Sequence, residues 1–158
     1  MLTDRGVWRI DSGVEAICRY SAKKNTDLFA EMGVLQPNEC EARQQILLDH
    51  YVGTVDMEAK CMVDMINKHV IPSVKASGLG PLADLENAVA TLNAAIDAIH
   101  HAEGQPQAEL ARVLRLETME EIRAHCDAAE AVCPANLWTL PTYVDLMFLD
   151  QTSNVTFE

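Results

Sequence analysis

The sequence predicts an all-α fold: an antiparallel bundle of three long helices, preceded by a short helical pair and followed by a docked aromatic tail. Three observations predict it. Leu48, Val52, Val55, Ala59, Met62, Ile66, Val70 and Val74 are spaced 4, 3, 4, 3, 4, 4 and 4, one face of a helix and no strand pattern. Leu82, Leu85, Val89, Leu92, Ile96 and Ile99 are spaced 3, 4, 3, 4, 3, a two-per-heptad seam suited to a helical hairpin. Only eight residues are aromatic, while Ala, Leu, Val and Met are plentiful, which suits close-packed helices.

Residues 1–36 predict the short pair. Asp11 or Ser12 can cap a helix from Gly13 to about Tyr20, with Val14 and Ile17 inward and Trp8 as an anchor before it. Ser21 is placed to cap a second helix running to Met32 and carrying Leu28 and Phe29, and Gly33 supplies its stop.

Residues 37–133 predict the three long helices. Pro37 opens the first, since its missing N–H has no partner in a first turn anyway, and Glu39 and Glu41 suit the positive end of the dipole. At ~1.5 Å per residue this helix, to about Ala76, is a rod of roughly 60 Å that cannot bury its own stripe. Gly53 costs it about 1 kcal/mol relative to Ala. Pro72 removes a backbone hydrogen bond and predicts a kink, because the apolar stripe continues to Val74. The turn Ser77-Gly78-Leu79-Gly80-Pro81 leads to the second helix, ending near His101. Glu103-Gly104-Gln105-Pro106 breaks the chain before the third, from about Gln107 to Val132. There Leu110, Leu114, Met119, Ile122, Cys126, Ala129 and Cys133 are expected inward, with a phase shift between Leu114 and Met119.

Residues 134–158 form the tail. Leu137, Trp138, Leu140, Tyr143, Leu146, Met147 and Phe148 would make a large exposed apolar patch if they floated free, so the segment is expected to dock on the bundle or a neighbour. Trp138, Leu140, Pro141, Tyr143, Leu146 and Phe148 are the candidate docking residues.

Charge and motifs exclude several classes of function. With 24 acidic and 12 basic residues the formal charge is −12, and the only adjacent basic pair is Lys23-Lys24, which argues against nucleic acid and anionic membranes as partners. No apolar run of transmembrane length occurs, and the first residues lack the apolar centre of a signal peptide; a cytoplasmic protein is expected. The five cysteines make no CxxC and read as small hydrophobes in a reducing compartment. No Walker A loop, GxGxxG, HExxH or GxSxG is present. His100 and His101 point about 100° apart on a helix, so they read as helix-end histidines. Glu121 and His125 are a single carboxylate–histidine pair where a di-metal bundle needs such motifs on facing helices. No catalytic, cofactor or metal residue emerges.

Four stretches nevertheless carry a resemblance. EARQQILLDHYVGTVDMEAKCMVDMINKHVIPSV resembles the long C-terminal helix of the type III glutamine synthetases, marked by Glu41-Ala42-Arg43 and Pro72. LWTLPTYVDLMF is similar to that family's LWPLPxYxxLLF ending, with Thr139 where the family usually has Pro. KKNTDLFAEMGVL and DRGVWRIDSGVEAI resemble the segments leading into the helix. The likeness runs in order from Asp4 to Phe148, although Gly78 to Leu116 matches only in being helical. It implies a region that follows the catalytic domain of an ATP-dependent glutamate–ammonia ligase, and, for a full-length enzyme, ATP, Mg²⁺ or Mn²⁺ and an assembly of double hexameric rings. The family's catalytic residues lie upstream and none carries over, so activity of this chain alone is not expected. The implied partners are the catalytic domain or neighbouring subunits, and the implied role is packing and assembly, whether the region is cut from a longer enzyme or separately encoded. The alternative reading is a free-standing helical adaptor.

Overall fold

The computed structural model describes residues 5–6 and 9–148, so Trp8 and everything from 149 onward lie outside the described residues. Among the described residues there are helices and no strands. α1 (Gly13–Cys18) is capped by Ser12, whose hydroxyl accepts from the Glu15 N–H, and it buries Val14. α2 (Lys23–Glu31) follows, but Ser21 does not cap it. Its hydroxyl and N–H both donate to Gln44 Oε1, at 2.6 and 3.2 Å, tying the short pair to the long helix. α2 buries Thr26 and leaves Leu28 half exposed.

α3 (Pro37–Met65) opens as expected at Pro37, with the Gln36 N–H donating to the Glu39 carboxylate at 2.6 Å. The helix does not stop at Pro72. A π-turn, Ile66–Val70, leads directly into α4 (Ile71–Ser77), so the irregularity precedes the proline. There the Ile71 N–H reaches back five residues to the Ile66 carbonyl. The wider turn relieves the crowding a proline ring brings to the preceding turn, and it also keeps the stripe inward. Met62, Ile66, Val70 and Val74 are each four apart, a drift of about 120° at ~100° per residue in a straight helix, and one extra residue takes back about 100° of it.

Gly78 and Gly80, with φ of 68° and 106°, make the turn into α5 (Leu82–His100). A Cβ on Gly80 would lie 3.3 Å from Val74 Cγ2 and 3.6 Å from the Ala129 backbone, so the loop is pressed between the first and third helices. The third rod is α6 (Gly104–Val113), a second π-turn (Leu114–Thr118) and α7 (Met119–Val132). It begins before the expected Gln107, because Pro106 is tolerated in a first turn. The π-turn falls on the phase shift noted between Leu114 and Met119.

Cross-helix pairs fix the directions. Lys75–Glu86 and Asp56–His100 join the first and second rods with numbers falling on one as they rise on the other, which is antiparallel. Glu58–Arg115 and the Cys133 thiol on the Ser73 carbonyl join the first and third rods, which run parallel. The core lies along the shared axis, with Leu48, Val55 and Ile66 meeting Leu85, Leu92, Ile99, Ala111, Leu114 and Ile122. Leu110, expected inward, is 41 % exposed, and Ala108 and Ala111 are fully buried instead. Two alanines let α6 come close to α3, and that choice of face turns Leu110 out. Cys40 is buried, Cys18, Cys126 and Cys133 are half-buried, and Cys61 lies exposed on α3 rather than inside.

Candidate docking surface

Pro134 ends α7, and the chain reverses through a turn in which the Leu137 and Trp138 N–H groups both donate to its carbonyl. The reversal lays Trp138 and Leu140 against the core, each partly buried. Thr139 between them is exposed, and its hydroxyl lies 2.8 Å from His69 Nδ1 in the first π-turn. The tail is therefore fastened to the irregular stretch of the long rod.

Beyond Pro141 the behaviour changes. Thr142 caps α8 (Tyr143–Met147). The Asp145 carboxylate accepts from the Thr142 hydroxyl and N–H, at 2.7 and 2.9 Å, and these two bonds hold its carboxyl below the usual range. The helix is well begun but hardly packed: Val144, Leu146, Met147 and Phe148 are all exposed, Met147 at 71 %.

The structure thus divides the six predicted docking residues. Trp138, Leu140, Pro141 and Leu146 line one cavity of about 260 Å³ with Met65, Arg123, Asp127 and Glu130. Phe148 faces outward apart from it, and the side chain of Tyr143 lies outside the described residues. Val144 joins the exposed face although it was not singled out, and Met147, named in the apolar stretch, is exposed as well; their place on the outside depends on how the Pro134 turn aims α8, which spacing does not encode.

Of the titratable groups elsewhere, Asp56 and His100 meet between helices. His100 Nε2 reaches Asp56 at 2.8 Å and Lys60 holds the other carboxylate oxygen at 2.7 Å. Burial opposes the charge on Asp56, but the bonds from Lys60 and His100 and their charges outweigh it, and its carboxyl titrates below the usual value. His101 folds back on the Asp97 carbonyl at 2.6 Å, away from His100. Burial, with Asp127 nearby, pushes the Cys126 thiol up; burial and Glu109 do the same to Cys18 against the opposing charge of Arg19. The divalent metal implied for a full-length enzyme finds no donor set here: among the described residues no three His, Cys, Asp or Glu side chains converge. None of the described helices is long and apolar enough to cross a membrane.

What the fold defines is an all-helical domain with a fastened tail and an apolar terminal helix on its outside. Residues 3–78, which end with α4, match the family described as the glutamine synthetase C-terminal domain. The chain is similar to the type-3 glutamine synthetase of Dictyostelium discoideum, 25 % identical over 179 residues covering 92 % of this chain and 24 % of that protein. It is also similar to a glutamine synthetase of Butyrivibrio fibrisolvens, 25 % identical over 174 residues, 91 % of this chain and 25 % of that one. The chain spans about a quarter of the length of these curated relatives, and the matches together support a C-terminal glutamine synthetase region.

Proposed function

We propose that this region is an assembly element of a type-3 glutamine synthetase, acting in the cytoplasm by packing against the catalytic part of the enzyme or a neighbouring subunit. Ligation of glutamate and ammonia with ATP then belongs to the upstream part, and residues 134–158 form a docking tail beside the bundle of 37–133. The observation that carries the reading is α8: a capped helix whose Val144, Leu146, Met147 and Phe148 are left exposed next to the cavity at Trp138. Exposed apolar side chains grouped on one terminal helix suit a protein contact far better than solvent.

The test exchanges the matching C-terminal region of the Dictyostelium enzyme for this chain and measures assembly by native mass spectrometry and glutamine formation by assay. Assembly is expected with the natural sequence and is expected to be lost when Leu146→Asp and Phe148→Asp are combined. A chimera that assembles equally well with both substitutions sinks the role given to the tail.

A further inference from the structure

α3 has a second face. Its inner side carries Leu48, Val52, Val55 and Ala59, and on the far side Ala42, Ile46, Gly53 and Met57 are exposed, Ile46 and Met57 at 66 % each, with the exposed Asp49 and Lys60 along the same line. At its N-terminal end the stripe opens into a shallow cavity of about 520 Å³ shared with Tyr20 and Leu47. In the middle stands Gly53, exposed, and a Cβ built on it meets nothing within 4 Å. No packing inside the chain asks for a glycine there, and glycine weakens a helix interior. A residue that weakens its own helix and flattens an apolar stripe lets another backbone come close, as small residues do where helices cross.

We propose that this stripe is a second docking surface, occupied by the part of a glutamine synthetase polypeptide that precedes this region. The stripe lies wholly within residues 3–78, the segment matched by the family, and in the relatives about three quarters of the polypeptide lies outside the matched region. A second copy of this chain fits poorly. Each copy carries a formal charge of −12, and pairing the stripe antiparallel about its midpoint, Ile46 across from Met57, sets Arg43 against Lys60 and Glu39 against Asp64. Parallel pairing sets every charge against itself. The inference rests on the assembly role proposed above and gives it a second surface, separate from α8.

The test uses the same chimera with Gly53→Ala, Gly53→Leu, and Ile46→Asp combined with Met57→Asp. In the chain alone, Gly53→Ala is expected to raise Tm by about 3 °C, because it removes glycine's entropy without a clash. In the chimera, Gly53→Leu and the double substitution are expected to weaken assembly tenfold or more while the chain's circular dichroism stays unchanged. A structural role for Gly53 alone predicts the reverse, with a lower Tm for Gly53→Ala. Unaltered assembly with Gly53→Leu and with the double substitution overturns the second surface and leaves the α8 reading standing. If the natural-sequence chimera does not assemble, the assembly role itself falls and the second surface with it. A chain that dimerises alone, and becomes monomeric with Gly53→Leu, overturns the occupant in favour of a second copy.

Discussion

The two halves of the tail are both rich in apolar residues and differ in what they touch. From Pro134 to Pro141, the turn presses Trp138 and Leu140 onto the bundle and Thr139 onto His69. In α8 and just after it, Val144, Leu146, Met147 and Phe148 are exposed. An apolar residue stabilises a chain only where something covers it, so the first half belongs to the fold's own stability, and the second is the part that the proposed assembly role assigns to a contact beyond the bundle. Substitutions should separate the two.

The largest separation is expected from the aromatic pair. Trp138→Ala removes a large side chain from the edge of the core and should destabilise the chain by about 2 kcal/mol, below the full-burial range because Trp138 is only partly covered. Phe148→Ala should change stability by less than about 0.5 kcal/mol, as for other exposed positions. Urea denaturation of the two variants measures both values. Equal losses would erase the distinction between the halves and show that α8 is packed in solution.

A smaller effect should come from the clasp. Thr139→Val keeps the shape and removes the hydroxyl that meets His69 at 2.8 Å. The expected loss is about 0.5–1 kcal/mol, because the pair is exposed and water replaces part of the bond. Hydrogen exchange should quicken at Trp138 and Leu140 and stay unchanged in α5. Loss of protection throughout the bundle instead would make the clasp part of the global fold.

How much of this was legible depends on where each residue's fate is decided. The helix seams were readable because core spacing is local: Leu85, Leu92, Ile96 and Ile99 are buried where their spacing put them. The phase break at Leu114–Met119 was readable as well, although its cause, a π-turn, was not. The run of four-residue steps from Met62 to Val74 spans the other π-turn, in the turn that Pro72 crowds. Ser21 and Leu110 sit elsewhere than expected because a partner decides each: Gln44 for the first, and the close approach through Ala108 and Ala111 for the second. The docking tail was legible as an apolar stretch and a familiar ending, but its division into a covered and an uncovered half follows from the Pro134 turn. The α3 stripe had one visible signal, Gly53, which reads as a mere defect until the opposite face is known to hold the core.

The mildest test of the two halves is acid. Asp145 is the only carboxylate in the α8 cap, and its pKa is held down in the folded chain by the Thr142 hydroxyl and N–H. A depressed carboxylate contributes stability that is complete above its unfolded value of about 3.9 and is lost as pH falls through the folded value. α8 should therefore fray below about pH 4, starting at the amide of Asp145 and its neighbours. The Trp138 turn contains no carboxylate and is held by apolar contact together with the Thr139–His69 bond, so it should outlast α8. Backbone NMR shifts of residues 143–147 against those of 137–140 over this range read the difference directly. If the two segments lose structure at one pH, the cap does not act alone and α8 is coupled to the docked half of the tail.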